Sequence, residues 1–350
     1  MSKLIHGGDI EGYILEYGSA PLDFSANCNP LGIPPGVVTA IAEAAASADR
    51  YPDPLCRRLT GALSEKLGIP PGWILCGNGA ADLIFRLALA KKPKTALVTA
   101  PTFSEYELAL KTAGCRVLHH SLNSADGFAV TEALLGAIAP AVDMLFICNP
   151  NNPTGLTIAP ALLAKILEAC AESGTLLVVD ECFNGFLDDP AAHTLKSKLS
   201  GYGNLLILDA FTKLYGMAGV RLGYCMTKNT ALLDGMRNAG QPWAVSSLAQ
   251  AAGLAALKET EYIEKARVLV RTERAYLQNA LASAGMYAVS GEANYIFFRS
   301  EIPALVPKLR AKGILIRDCG NYRGLSEGWY RVAVRTHAEN ERLVDALAGL

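Results

Sequence analysis

Nothing in this sequence supplies a field that would attract a polyanion. Lys and Arg number 32 against 33 Asp and Glu, a formal net charge of −1, so nucleic acid and anionic membrane surfaces find no basic patch, and any anion has to be bound locally. Closely spaced cysteines are also missing. The nine, at 28, 56, 76, 115, 148, 170, 182, 225 and 319, are never nearer than twelve positions. That spacing excludes a CxxC metal site, and the odd number argues against a disulfide framework and for free thiols in a reducing compartment. Although 51% of the residues are hydrophobic, no run of eighteen apolar residues occurs, and positions 1–18 carry Asp9, Glu11 and Glu16 where a signal peptide is apolar. The expectation is a soluble, cytoplasmic protein with no membrane partner. Internal repeats are absent, as is low-complexity sequence beyond some Ala-rich helix.

What is there is a rhythm of buried strands and glycine-punctuated turns. The 350 residues suit one large α/β domain with a smaller companion. An apolar run at 205–208 predicts a buried strand that breaks into a polar turn holding Thr212 and Lys213, followed by Gly216, Gly219 and Gly223. A second run at 175–179 ends in Asp180-Glu181. Upstream, 73–76 predicts a strand entering Gly77-Asn78-Gly79-Ala80-Ala81-Asp82, which opens a helix running to about 90. Strand, glycine turn and helix N-terminus together suit a phosphate, since free N–H groups and the helix dipole point at one spot. Glycine also simply caps strands, so this turn alone leaves the ligand open.

Alternation continues with strands at 95–99, 116–120 and 144–148 and helices at 103–113, 131–138 and 162–170, which predicts a mostly parallel sheet covered on both faces. The loop Asn149-Pro150-Asn151-Asn152-Pro153-Thr154-Gly155 leaves the end of a parallel strand, where α/β folds place ligands. His119-His120 ends a strand and reads as surface polarity. Residues 1–35 read as an arm, in which His6-Gly7-Gly8 is either a disordered terminus or a set of open N–H groups with a histidine donor. Residues 36–235 read as the large domain. Residues 236–350 read as a smaller α+β domain, with long helices at 246–257 and 262–283, strands at 287–289, 295–298, 314–316 and 330–334, and helices at 302–312 and 339–348.

The ordered motifs RYPDP, GNGAAD, NPNNPTG, DECF, FTK and GVRLGY make the whole chain resemble the fold-type I pyridoxal 5′-phosphate (PLP) enzymes. Within that group, HGGDI, DFSANCNPLG, the Phe of DECF, QPWAVS, ILIRDCGNYRGL and YRVAVRT are most similar to the threonine-phosphate decarboxylases, relatives of the histidinol-phosphate aminotransferases. The resemblance implies an α/β fold with a mostly parallel seven-stranded sheet and a small α+β C-terminal domain. It implies PLP as cofactor, with Lys213 carrying it covalently and Asp180 facing its ring nitrogen. Asn152 would meet the phenolic oxygen, and Gly79, Ala80, Thr212 and Arg221 would cradle the phosphate. Tyr51 would reach the phosphate in a partner subunit, which implies a homodimer. For a phosphorylated amino acid substrate it implies Arg317 and Arg331 as the anion binders, with His6, Gly7, Asn27 and Asn152 around it. Arg335, four beyond Arg331, would share that strand face by parity.

The implied activity is decarboxylation of O-phospho-L-threonine for cobalamin synthesis. The alternative is transamination of histidinol phosphate with 2-oxoglutarate. A non-catalytic PLP-binding regulator of DNA would need a basic patch or a helix-turn-helix, and neither is visible. Two departures stand out: Ala210 replaces a common hydroxyl near the phosphate, and Phe183 replaces the tyrosine most relatives carry.

Overall fold

The computed structural model describes residues 7–350. After a short strand β1 (Leu22–Asp23), the chain lays down β2 (Ile74–Gly77), β3 (Thr95–Ala100), β4 (Arg116–Ser121), β5 (Met144–Cys148), β6 (Leu176–Asp180), β7 (Leu205–Ala210) and β8 (Gly223–Met226). These last seven form one sheet in the order β2-β8-β7-β6-β5-β3-β4. Only β8 runs against its neighbours.

The central strands are unbroken apolar runs because helices cover both faces, and the period of two divides each run between two cores. Leu145, Ile147, Leu177, Val179, Leu205 and Ile207 enter one, while Met144, Phe146, Val178, Leu206 and Leu208 enter the other. Each such fully buried side chain contributes roughly 1.5–3 kcal/mol, so the sheet is a stiff platform. Since β5, β6 and β7 are parallel, the segments that leave them emerge side by side at one edge.

The remaining strands are β9 (Tyr287–Ala288), β10 (Tyr295–Arg299), β11 (Ile314–Leu315), β12 (Arg317–Asp318) and β13 (Trp329–Ala333). An antiparallel sheet takes the order β12-β13-β10-β9, and β1 pairs with β11 in a parallel two-stranded sheet. Leu277 and Leu281 of the Thr260–Ser283 helix and Leu343 and Leu347 of the His337–Ala348 helix pack with Ile296, Phe298 and Val332 over the antiparallel sheet. Among the described residues no helix is long and apolar enough to cross a membrane.

Several expectations shift. The arm contains a helix, Ile10–Tyr17, closed by Gly18 at φ 76, whose N–H bonds Ile14 O. The residues near 131–138 form a 3-10 helix, Glu132–Ala137, rather than an α-helix; a six-residue segment interrupted by Gly136 is too short to gain much from α-helical bonds. The polar turn around Lys213 is a single helical turn, Phe211–Leu214. The strand expected at 314–316 is only β11, ending at Leu315, and the separate strand β12 that follows it belongs to a different sheet.

Arg335 is a correction. It lies past the end of β13, where strand parity no longer applies, and its guanidinium donates to Asp23 O at 3.1 Å and Glu339 Oε1 at 2.6 Å. It is therefore committed to tying β1 to the last helix and does not share the position of Arg331. Arg331 itself sits in the middle of β13 rather than at its end.

Candidate active site

The edge where β5, β6 and β7 end borders a cavity of about 410 Å³. Lys213, Asp180, Asn152, Thr212, Ala80 and Arg221 line its large-sheet side, and Gly7, Asn27, Arg317 and Arg331 close the other. Gly79 is the residue before Ala80 and caps the Ala80–Lys91 helix at φ 82. Tyr51 does not line this cavity: it is 80% exposed and stacks on Trp243 with centroids 4.6 Å apart. His6 lies outside the described residues.

Each side chain is set by its element. Lys213 follows β7 by three residues, its backbone carbonyl accepting Asn29 N–H at 3.0 Å. Its amine is 5.7 Å from the Phe183 ring centroid and has no hydrogen-bond partner among the described residues. Behind the turn, Asp209 Oδ1 accepts Ala210 N–H at 2.8 Å while Tyr224 Oη donates to Asp209 Oδ2 at 2.9 Å. Lys196 bridges Asp209 at 3.2 Å and the fully buried Glu181 at 3.7 Å. A half-buried cation between two carboxylates ties β6 to β7 just beside the residues both strands deliver to the cavity.

Asp180 is the last residue of β6, in register with Cys148 of β5 and Leu208 of β7. Burial pushes its carboxyl above the ordinary carboxylate value, and hydrogen bonds offset only part of that rise. Those bonds come from the Cys182 thiol, from Tyr106 O–H to Oδ2 at 2.6 Å and from Cys182 N–H to Oδ1 at 3.0 Å. Asn152 stands in a loop knitted by its neighbours: Asn149 bonds Ile158 N–H and His193 O, and Asn151 bonds Pro101 O and Thr154. That leaves the Asn152 carboxamide facing the cavity, where it accepts from Arg331.

At the helix N-terminus, a Cβ on Gly79 would collide with the Arg221 guanidinium, and one on Gly223 would come within 2.6 Å of Ala80 N. Both positions need glycine for close approach, and the result is a concave group of N–H donors beside an exposed guanidinium. Arg221 itself adopts φ 61.

Arg317 and Arg331 are directly opposite each other in the β12–β13 ladder. Both are buried, at 8% and 6% exposure. Arg317 donates to Asn321 Oδ1 at 2.9 Å, and Arg331 donates to Ser25 O at 2.9 Å as well as to Asn152. Neither meets a carboxylate among the described residues, and Arg331 Nε has no partner there. Like charges facing across a ladder are unfavourable, and nothing among the described residues neutralises this pair. Asn27 Oδ1 is likewise buried and without a partner among the described residues. Gly7 approaches Ser25, whose Oγ accepts Gly8 N–H at 2.7 Å.

Sequence reasoning missed Phe103, Tyr106, Tyr322 and Cys182, which also line the cavity. Phe103 and Tyr106 come shortly after the C-terminal end of β3, the position that favours ligand contact in parallel sheets. Ala210 lies in the wall without a hydroxyl, and Phe183 packs edge-on against Tyr295 at 5.0 Å.

Comparison with known proteins places this geometry among relatives. The family described as aminotransferase class I and II matches residues 19–347. A threonine-phosphate decarboxylase from Salmonella typhimurium is 39% identical over 348 residues, covering 98% of this chain and 95% of that protein. A histidinol-phosphate aminotransferase from Symbiobacterium thermophilum is 36% identical over 353 residues, covering 99% and 95%. The crystal structure of histidinol-phosphate aminotransferase from Sinorhizobium meliloti in complex with pyridoxal 5′-phosphate superposes with a TM-score of 0.88, covering 99% of this chain and 95% of that one. At 24% identity that last likeness is one of fold.

Proposed function

Because the chain belongs to the class I and II aminotransferase family, whose cofactor is pyridoxal 5′-phosphate, we propose that it decarboxylates O-phospho-L-threonine, leaving a phosphorylated aminopropanol that serves cobalamin synthesis. The observation that carries this reading is the opposed pair Arg317 and Arg331, two buried cations without carboxylate partners among the described residues. Phosphothreonine brings two anions, a carboxylate and a phosphate, so one substrate neutralises both. The Salmonella relative supports this choice of substrate.

The residues fit the cofactor. The glycine-lined helix end beside Arg221 suits a phosphate, and Asp180 is a buried carboxylate whose donors are neutral, which suits a protonated ring nitrogen. When bound, the cofactor supplies an electron-withdrawing ring that stabilises negative charge on the substrate's α-carbon. Ala80, Thr212 and Arg221, with the turn at Gly79, hold the phosphate. Asn152 holds the phenolic oxygen, and the Asp180 carboxylate retains a proton at the ring nitrogen. Lys213 Nζ, without a hydrogen-bond partner among the described residues, would hold the cofactor covalently.

Arg317 and Arg331 would fix the two substrate anions and so orient the bonds of the α-carbon in the cavity. When the bond to the carboxylate breaks, CO₂ leaves, its electron pair stays with the α-carbon, and Lys213 Nζ delivers a proton there. Gly7 and Asn27, on the arm side of the cavity, keep water away. We also infer a homodimer in which Tyr51 reaches its partner's cofactor phosphate, supported by its exposure and its absence from the wall of its own cavity.

The second reading, transamination of histidinol phosphate, is favoured by the 36% identity to the Symbiobacterium protein. PLP-loaded enzyme given O-phospho-L-threonine should release CO₂, and the same enzyme given histidinol phosphate with 2-oxoglutarate should form no glutamate. Glutamate without CO₂ would move both arginines into an aminotransferase site.

A further inference from the structure

Asp180 poses a problem that the residues assigned so far do not solve. It ends a strand buried along its whole length, between β5, equally buried, and β7, buried at every position but Asp209. A carboxylate in such surroundings takes up a proton unless donors or cations hold it ionised. The titratable groups around it give no help by charge. Cys148 and Cys182 are thiols that burial pushes up, so they remain neutral, and Asp209 repels. One side-chain hydroxyl is placed differently.

Tyr106 lies near the start of the Glu105–Thr112 helix and is completely buried. Its ring stacks on Phe146 of β5 at 5.0 Å and 15°, and Phe103 closes its edge at 5.5 Å and 81°. Held between two rings, its hydroxyl has one direction, and there it donates to Asp180 Oδ2 at 2.6 Å, within the range of a charge-assisted O–H···O⁻ bond. Burial and the neighbouring carboxylate push the phenol up, so it stays a donor.

We propose that Tyr106 is a positioning residue that fixes the Asp180 carboxylate and keeps it anionic toward the cofactor's ring nitrogen. It acts only through Asp180 and lies outside the catalytic set named above. The donor lowers the basicity of the carboxylate, so the shared proton stays on the ring rather than returning to Asp180. The proposal rests on the PLP-binding part of the functional reading and is independent of which substrate is used.

Tyr106→Phe keeps the ring stack and removes only the donor. Loss of a hydrogen bond to a charged group predicts that PLP, followed by equilibrium dialysis, binds about tenfold to a hundredfold more weakly. With PLP ¹⁵N-labelled at the ring nitrogen, the bound resonance should move toward the unprotonated position. In an Asp180→Asn background the same substitution should change PLP affinity little, because the charge it serves is gone. An equal loss in both backgrounds, or unchanged affinity and resonance in Tyr106→Phe, would overturn the assignment and leave Tyr106 as packing. Wild-type protein that holds PLP but decarboxylates nothing would refute the substrate reading while leaving this test intact.

Discussion

Arg317 and Arg331 are the residues on which the proposed substrate most depends, and their surroundings make that proposal testable. Two buried guanidinium groups in cross-strand register repel; among the described residues they meet only neutral acceptors, and Arg331 Nε meets none. Removing such a charge costs a fold little when the replacement fills the same space. Arg317 has the simpler surroundings, one bond to Asn321 and a stack over Tyr322 at 5.2 Å. Arg317→Met should therefore leave the Tm of the substrate-free holoenzyme unchanged or raised, while weakening phosphothreonine by about tenfold to a hundredfold, as expected for one charge-assisted bond. PLP affinity should hold. A clear drop in Tm with unchanged KM would make Arg317 a structural residue.

The Glu105–Thr112 helix joins the two ends of the site. Tyr106 points inward to Asp180, while Glu107, one residue on and turned to another face, meets Lys111 at 2.7 Å, Arg323 at 3.0 Å and His119 at 3.1 Å. Arg323 belongs to the loop after β12 that also carries Asn321 and Tyr322 beside Arg317, so this ion cluster fastens the substrate side to the large sheet. Burial pushes the Glu107 carboxyl up, but the hydrogen bonds from Lys111, Arg323 and His119 outweigh it and hold it at about 2 against an ordinary 4.5. A depressed carboxyl contributes stability that is fully present above about pH 4.5 and lost as pH falls through about 2. Thermal unfolding of Glu107→Gln should lie below wild type at neutral pH, and the gap should close across that window; a gap unchanged at pH 2 would sink the cluster's role. Little of this was legible in the sequence. The strands were, because apolar runs bounded by glycine turns are local signals. Tyr106 reads as one more apolar position on an amphipathic helix, and its partner is 74 residues away. The Ile10–Tyr17 helix hid in an arm punctuated by Gly7, Gly8 and Gly12, and Arg335 was misread because parity was carried past the last residue of β13.

At the scale of the whole molecule, the proposed homodimer would cover one surface of the chain with a second copy. Tyr51 and Trp243 stack with 80% and 44% of their surface exposed, and Leu55 beside them is 46% exposed. Exposed large apolar side chains of this kind are what the proposed subunit interface would cover. If Tyr51 serves the neighbouring subunit, each complete site needs Lys213 from one chain and Tyr51 from the other. A closed two-fold arrangement then makes two such sites, and a mixed dimer of Lys213→Ala with Tyr51→Ala contains one site carrying both lesions and one carrying neither. Co-refolding or co-expressing the two variants should restore decarboxylation and tight PLP retention well above the average of the separate variants. Self-contained subunits would give that average and no more, because each chain would keep its own lesion. Size-exclusion chromatography with light scattering belongs in the same experiment. A monomer by mass together with no rescue would remove Tyr51 from the site, whereas a dimer with rescue would make the interface part of the cofactor's phosphate cradle.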